Sequence, residues 1–385
     1  MGRHVAGDCP QLDRLVDEAC ASIGSEVAAL KLPRLAGVVL GGGYGRGEGG
    51  VANCGNVELG KNGNVEMGIA EGNAALDNGC FHNSTIPQLS NDLDFFAITE
   101  PGVPEAEAIA EIAAALEPVS RKWTAEIGVD VDFAVKTPWR LKHDEERLMV
   151  QELLRGYFDV AGRKGGELFA GIRRVDAADL PWSEAARLLM NRGMGLLFAK
   201  CKIESVKCKI GEVGEESGLS VAECRMAPER DFINRNINKC VLGAGDARLI
   251  AQGAYRWKAE ERAAALGDAL YSAAVGWKFR PKAEPVCDWE KAREIWLAAE
   301  TEVSRCSRQS RCSRQSRSSS PSRPSSPRRR TLRSAVRWLV RRRTLGELST
   351  FGLMPELRVL RRVSAAIRER RGISPSLRRD WEVFN

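Results

Sequence analysis

Three short segments, far apart in a chain of 385 residues, carry residues suited to holding phosphate and metal ions. The first is the glycine-rich run GGGYGRG at 41–47, which follows an apolar stretch. The other two are NDLDF at 91–95 and VDVDF at 129–133, which set aspartates among apolar residues. These segments constrain the fold strongly, because they can act together only if one sheet brings them to the same edge.

The two aspartate segments are typical of strands that carry metal ligands. Side chains two residues apart on a strand share a face, so Asp92 and Asp94 can bind the same ion. Mg²⁺ prefers oxygen ligands, and a third carboxylate from a second strand completes such a set. Asp132, between Val131 and Phe133, fits this role; Asp130 shares its face and is the rival, and we favour Asp132.

The glycine run predicts a phosphate-binding turn. Without Cβ atoms, Gly42 and Gly43 allow the backbone to approach phosphate closely and to adopt positive φ. Arg46 adds a cation for a charge-assisted contact. A competing pattern at 45–50, G-x-G-x-x-G, matches the dinucleotide fingerprint, which needs a helix directly after the turn. A Gly- and Asn-rich stretch follows instead, so we expect no dinucleotide site.

Hydrophobic periodicity predicts an α+β fold followed by an α-helical domain. Three apolar runs that adjoin the motifs predict strands, and the Ala- and Glu-rich stretch at 104–127 predicts a helix between two of them. We assign residues 1–137 to a catalytic domain with a mixed β-sheet. From residue 138 onward the pattern is mostly helical, so we assign 138–385 to a helical substrate domain.

Three segments interrupt this plan. Residues 51–90 are rich in Gly and Asn and contain the repeat GNVELG and GNVEMG, which predicts an inserted loop. Residues 200–225 contain the echo KCKIE and KCKIG, which we also interpret as an inserted loop. Residues 304–330 repeat SRCSRQ and continue as a Ser/Pro/Arg tract without core-forming residues, so we predict disorder there.

In this order, the motifs resemble the nucleotidyltransferase superfamily related to DNA polymerase β. That superfamily combines a Gly-[Gly/Ser] turn, an Asp-h-[Asp/Glu]-h strand and a later h-[Asp/Glu]-h strand, where h is hydrophobic. The paired glycines match Gly42 and Gly43, the second element matches Asp92 and Asp94, and the third matches Asp132. The resemblance covers roughly residues 30–136.

The resemblance implies a fold, an activity and a cofactor. It implies a Mg²⁺-dependent transfer of a nucleoside monophosphate from a nucleoside triphosphate, which we expect to be ATP. The three aspartates then hold the metal, and two ions are expected. The acceptor is expected to be a hydroxyl group on a small molecule, a protein or RNA.

Two departures from the family pattern leave a second hypothesis open. Gly43 stands where Ser is commoner, which removes a hydroxyl from the phosphate site, and the gap before Asp92 is about forty residues longer than usual. A catalytically silent member of the fold, binding nucleotide or nucleic acid as a regulator, is therefore the alternative.

Six polar or glycine positions in the helical half allow two interpretations. In the first, these residues reach the triphosphate or the acceptor across the cleft; in the second, they form a polar seam within the helix bundle. The residues concerned are Asn191, Arg192, Asn236, Lys239, Gly243 and Asp246.

Charge and cysteine content indicate partners and location. Residues 301–385 contain 22 arginines against six acidic residues, so this region could make a weak, salt-sensitive contact with nucleic acid or form a solvated linker.

Eleven cysteines without a C-x-x-C, together with three histidines, disfavour a zinc site and indicate reduced thiols. Since the first residues lack the apolar core of a signal peptide and no apolar run is long enough to span a bilayer, we expect a cytoplasmic protein without membrane contact.

Overall fold

The computed structural model describes residues 2–52, 88–212, 227–316 and 355–382. Strands and helices alternate in the first part of the chain, and helices alone follow. The strands are β1 (Leu35–Leu40), β2 (Val51–Ala52), β3 (Gln88–Leu89), β4 (Leu93–Thr99), β5 (Val131–Lys136) and β6 (Phe158–Gly162). The first helices are α1 (Pro10–Ala29), α2 (Gly42–Gly45), α3 (Glu105–Ile127), α4 (Pro138–His143), α5 (Leu148–Arg155) and α6 (Gly165–Leu168). The later ones are α7 (Trp182–Glu212), α8 (Ala227–Gln252), α9 (Ala259–Leu266), α10 (Ala269–Phe279), α11 (Trp289–Ser316), α12 (Pro355–Arg368) and α13 (Pro375–Glu382).

A four-stranded mixed sheet in the order β5-β4-β1-β6 organises the first part of the chain. Strand β1 is antiparallel to both β4 and β6, whereas β4 and β5 are parallel. Leu40, the last residue of β1, therefore lies opposite Phe95 near the start of β4. As a consequence, the turn after β1 and the starts of β4 and β5 meet at one edge of the sheet.

Helices cover both faces of this sheet because its strands are apolar on both sides. Val38 and Leu40 of β1 face a core shared with α1 and α3. Val39 faces the opposite core, where Leu153 of α5 and Phe169 pack against Phe96 of β4. This alternation follows from the two-residue period of a strand, and it fixes which strand residues can reach the site.

The remaining core lies among α7, α8, α11 and α12. Trp289 and Trp296 bury their rings there and donate their indole N–H groups to the carbonyls of Leu196 and Leu189, both at 2.9 Å. Buried indole N–H groups need such partners. Among the helices of the described ranges, none is both long enough and apolar enough to cross a membrane.

The mixed α+β architecture is as predicted, and elements that follow the predicted domain boundary at residue 137 also pack with the first sheet. Strand β6 pairs with β1 as an outer strand of the first sheet, and α4 to α6 pack with that sheet. The helical core begins only near Leu180. The sequence pattern missed β6 because a five-residue strand between helices forms through a long-range pairing, which leaves no local periodicity to detect.

Two predicted interruptions are partly helical. Helix α7 continues to Glu212, through the first half of the loop predicted at 200–225, and α11 continues to Ser316 within the tract predicted as disordered. Adding residues to an existing helix costs far less than starting one, and the Lys, Arg, Glu and Gln residues of both extensions are good helix formers. The rest of these segments, and residues 53–87 of the third, lie outside the described residues.

A buried ion-pair network joins the turn after β1 to the helical part. The carboxylate of Glu48 accepts hydrogen bonds from the Lys278 ammonium at 2.8 Å and from the backbone N–H of Ala259 at 2.9 Å. Nearby, Glu152 accepts a hydrogen bond from the Tyr255 hydroxyl at 3.1 Å. Although burial alone would raise it, Lys278 and Arg46 lower the pKa of Glu48 to about 2.

We predict that Glu48→Gln lowers the free energy of unfolding by about 3 kcal/mol at pH 7, which is the value of a pKa depressed from 4.5 to about 2. A depressed carboxyl pKa stabilises the fold above pH 4.5, and this contribution is lost as the pH falls towards 2. Urea unfolding of both proteins should therefore show a difference that shrinks between pH 5 and pH 2.

The matched control for this substitution is Glu260→Gln, since Glu260 is exposed in the first turn of α9. We expect it to leave stability unchanged across the same pH range. A Glu48→Gln protein as stable as the wild type at pH 7 would contradict the role assigned to this carboxylate.

Candidate functional site

The sheet brings three of the predicted aspartates together at the edge described above. Asp94 of β4 and Asp132 of β5 are register partners in the parallel ladder. Asp92 lies two residues before Asp94, hence on the same face. Burial, then the charges of Asp92 and Asp132, raise the pKa of Asp94 from 3.8 to about 6. The three carboxylates are therefore close enough to repel one another.

Asp132 and its rival Asp130 differ in position. Both side chains are exposed, and Asp130 precedes β5, where its carbonyl accepts a hydrogen bond from the N–H of Leu93 at 2.8 Å. The pKa of Asp132 is raised first by burial and then by Asp130 and Asp92. The charge of Asp132 helps to raise the pKa of Asp94. Asp132 therefore fits a three-carboxylate set with Asp92 and Asp94 better than Asp130 does.

The glycine run forms a single helical turn, α2, that contacts the aspartates directly. The backbone N–H of Gly41 donates to the carbonyl of Asp94 at 2.8 Å. Gly42 has φ of +61°, and a Cβ atom there would collide with a carboxylate oxygen of Asp94. The N–H groups of Gly42 and Gly43 belong to the first turn of α2, which leaves them without intrahelical acceptors. Strand β2 follows this turn, so the long helix required by a dinucleotide fingerprint is missing here.

Arg46 lies beside this turn but is already engaged by carboxylates. Its guanidinium is 3.4 Å from Glu152 and 3.7 Å from Glu48. It is also near enough to Asp94 to lower the pKa of that carboxyl. The predicted contact between Arg46 and phosphate stays a prediction, and it would require the guanidinium to share its donors with these two partners.

Tyr44 is a residue of the site that sequence reasoning passed over. It is 1% exposed, and its hydroxyl accepts hydrogen bonds from the N–H groups of Ser90 at 3.1 Å and Asn91 at 3.3 Å. The same hydroxyl donates to the carbonyl of Gly50 at 2.9 Å. The only signal in the sequence was an aromatic residue inside a glycine run. Tyr44 thus fixes the backbone that leads into Asp92.

One cation from the helical part, Lys239, faces the aspartates, and Arg192 lies near that cation. Burial, then the charge of Arg192, lowers the pKa of the Lys239 ammonium of α8, and the opposing effect of Asp92 and Asp94 is smaller. Arg192 of α7 packs against α8 where Gly243 leaves room, since a Cβ at 243 would collide with its side chain. Arg235 of α8 donates to the carbonyl of Ser90 at 2.9 Å, which joins the two parts two residues from Asp92.

These opposed charges do not neutralise one another. Within the ranges the structure describes, the carboxylates of Asp92, Asp94 and Asp132 make no hydrogen bond or ion pair, and neither do the cationic groups of Lys239 and Arg192. The distance between these carboxylates and these cationic groups therefore exceeds that of an ion pair. In the described part of the chain, no three His, Cys, Asp or Glu side chains stand in a position to hold a metal ion.

Two other polar residues named above belong to the helix bundle. Asp246 is ion-paired with Arg262 at 2.9 Å and accepts a hydrogen bond from the Tyr271 hydroxyl. Asn191 accepts a hydrogen bond from the indole N–H of Trp381 at 2.9 Å. Both arrangements match the polar-seam interpretation.

Tyr44→Phe tests the positioning role of the hydroxyl. Because two buried N–H groups lose their acceptor, we predict a loss of at least about 2 kcal/mol in the free energy of unfolding. Amide exchange of Ser90 and Asn91 should accelerate more than exchange in β1. Tyr157→Phe is the matched control, since the Tyr157 hydroxyl makes no hydrogen bond within the described residues. Equal effects from both substitutions would contradict this role.

Asp94→Asn tests the repulsion among the carboxylates. A pKa raised from 3.8 to about 6 means that ionised Asp94 costs stability above pH 6 and costs none below 3.8. We therefore predict that the variant is more stable than the wild type by about 3 kcal/mol at pH 7 without metal, with no difference near pH 3.5. Urea unfolding in EDTA measures this, and Asp179→Asn, at an exposed carboxylate of a short 3-10 helix, is the control. A destabilised Asn variant at pH 7 would mean that Asp94 has a stabilising partner.

Comparison with known proteins adds no relative to this picture. No protein-family model, no curated protein and no solved structure matches the chain. Any function must therefore be argued from the charges and backbone groups gathered at this edge of the sheet.

Proposed function

We propose that the protein is a Mg²⁺-dependent nucleotidyltransferase that moves a nucleoside monophosphate from a nucleoside triphosphate, expected to be ATP, to a hydroxyl acceptor. One observation carries the proposal: in the described residues the carboxylates of Asp92, Asp94 and Asp132 have no partner, and the Lys239 ammonium of α8, also without a partner there, lies within electrostatic range of Asp92 and Asp94. The half-buried Asp94 bears a cost for this arrangement, because burial and the neighbouring carboxylates raise its pKa to about 6. A polyphosphate with its divalent cation supplies both missing counter-charges at once.

The residues divide this task by charge. The carboxylates of Asp92, Asp94 and Asp132 do not stand at metal-ligand spacing in the structure, so they would have to turn towards a bound Mg²⁺. They offer the oxygen ligands that Mg²⁺ prefers, and their mutual repulsion favours a bound cation. When bound, Mg²⁺ neutralises phosphate charge and lowers the pKa of an attacking hydroxyl. The first-turn N–H groups of Gly42 and Gly43 suit phosphate oxygens, and Lys239 and Arg192 suit the terminal phosphates.

In the proposed reaction, the acceptor oxygen bonds to the α-phosphorus while the bond from that phosphorus to the bridging oxygen breaks. Pyrophosphate leaves, and the proton of the acceptor hydroxyl passes to water. The protein contributes position and charge: the turn and the aspartates hold one side of the triphosphate, and the helices hold the other. Such preorganised electrostatics is usually the largest contribution to catalysis.

A catalytically silent, nucleotide-binding protein is the second candidate. The engagement of Arg46 by Glu48 and Glu152 favours it, because a phosphate contact that transfer could use is occupied. Retained carboxylates at all three positions favour the enzyme, since nucleotide binding alone does not require them. Turnover distinguishes the two.

The deciding experiment is transfer of label from α-³²P-labelled nucleoside triphosphates, with Mg²⁺, to a panel of small-molecule, protein and RNA acceptors. We predict labelled product and released pyrophosphate with wild type, and at least a hundredfold loss in Asp92→Asn and Asp94→Asn proteins. Nucleotide that binds without turnover would support the silent candidate, and failure to bind any nucleotide would sink both.

Two further variants test whether Asp132 or Asp130 is the third metal ligand. Asp132→Asn should reduce transfer as strongly as Asp94→Asn, whereas Asp130→Asn should reduce it only severalfold. The reverse order would transfer the ligand role to Asp130. Asp179→Asn should leave transfer unchanged, because this carboxylate belongs to neither strand.

A further inference from the structure

One stripe of helix α8 leads from solvent into the gap between carboxylates and cations. Phe232, Asn236, Lys239 and Gly243 recur every three or four residues, so they lie on one side of the helix. The opposite side of α8 carries Ile237, and the other residues of that side fill the helical core. These are Cys240, Val241 and Ala244. The stripe thus adjoins the core-facing side of α8: Asn236 and Gly243 lie against α7, while Phe232 and Lys239 are exposed.

The stripe begins with an exposed aromatic ring. Phe232 is 39% exposed, whereas most large apolar side chains in the described residues are covered. A lone exposed phenylalanine is common on protein surfaces and needs no function. This ring differs because it lies one turn before Asn236 and two turns before Lys239, on the side that faces the site.

The orientation of the stripe is fixed by its neighbours. Arg235, between Phe232 and Asn236 in sequence, donates to the carbonyl of Ser90 at 2.9 Å, two residues before Asp92. Two turns along the stripe, Lys239 lies within the electrostatic range of Asp92 and Asp94. The stripe therefore runs alongside the segment that carries the aspartates.

Asn236 supplies hydrogen-bonding capacity in the middle of the stripe. Its amide nitrogen donates to the carbonyl of Phe232 at 2.9 Å, which leaves one N–H. Its amide oxygen accepts no hydrogen bond within the described residues and lies over Gly195 of α7, where a Cβ atom would approach it to 2.5 Å. Since the amide oxygen is packed against α7, the remaining N–H is the group that suits an acceptor on the edge of a heterocyclic base.

The spacing matches an extended nucleotide. At 1.5 Å per residue, the Cα atoms of Phe232 and Lys239 are about 10 Å apart along α8. An aromatic ring, an amide and a cation thus follow one another in the order of base and phosphates. Aromatic stacking on a base is tolerant of base identity, while an amide adds preference.

We infer that Phe232 and Asn236 form the nucleobase subsite of this protein, with Phe232 stacking on the base and Asn236 hydrogen-bonding its edge. The inference rests on the proposed function, because it places the base of the same triphosphate whose phosphates face Lys239 and Arg192. It adds a substrate class: a nucleotide recognised through its base, rather than any polyphosphate.

The test compares ligands that contain a base with one that does not. Isothermal titration of the full chain, with Mg²⁺, measures the dissociation constants of ATP, GTP, CTP, UTP and inorganic tripolyphosphate. For Phe232→Ala we predict a fivefold to hundredfold loss for the nucleotides and none for tripolyphosphate, in line with the energy of base stacking. Lys239→Ala should weaken all five ligands.

Further variants distinguish a loss of base stacking from a loss of the folded structure. Phe232→Tyr should retain nucleotide binding, and Asn236→Ala should flatten the preference among the four nucleotides. Leu30→Ala is the control, since Leu30 is similarly exposed, at 40%, but follows α1. Thermal unfolding of each variant verifies that the protein remains folded.

The outcomes distinguish the two proposals. If the wild type binds nucleotides and Phe232→Ala binds them equally well, the base subsite is wrong and the proposed function stands. If Phe232→Ala weakens tripolyphosphate as much as ATP, the ring supports the fold instead of a base, which also overturns the inference. If the wild type binds neither nucleotide nor tripolyphosphate, the proposed function itself fails.

Discussion

Strand β4 is hydrogen-bonded on both sides, to antiparallel β1 and to parallel β5, and this double pairing determines where the charged groups stand. The antiparallel side brings the glycine turn to Asp94, and the parallel side brings Asp132 to it. A shift of one residue between β4 and β5 would turn Asp132 to the other face of the sheet. The carboxylate cluster therefore depends on register more than on any local motif.

The same register offsets the repulsion that it creates. Phe95 and Phe133, each one residue after an aspartate, are also register partners, and their rings stack at 5.2 Å on the opposite face. Phe95 is fully buried in the core with α1 and α3. Apolar burial on one face thus holds the strands together while like charges on the other face separate them. A cation that binds the carboxylates would remove the opposing force.

The sequence predicted which carboxylates meet at the sheet edge better than it predicted the elements around them. The alternation around Asp92, Asp94 and Asp132 was visible because strand periodicity is local, and the structure brings these residues together. Strand β6 and the hydroxyl of Tyr44 were not visible, because both act through contacts with segments far along the chain. Arg192 and Lys239 are candidates in the sequence, but the direction in which their side chains point depends on how α7 and α8 pack.

Strands β2 and β3 give this protein a property of interest for engineering and for evolution. Val51 pairs with Leu89 and Ala52 with Gln88, so the two ends of the intervening segment are held side by side. Lengthening a connection whose ends are already joined adds only a slowly growing entropic cost. A segment added between these ends would therefore cost the sheet little, and because Asp92 follows three residues after Leu89, it would enter the chain next to the carboxylates.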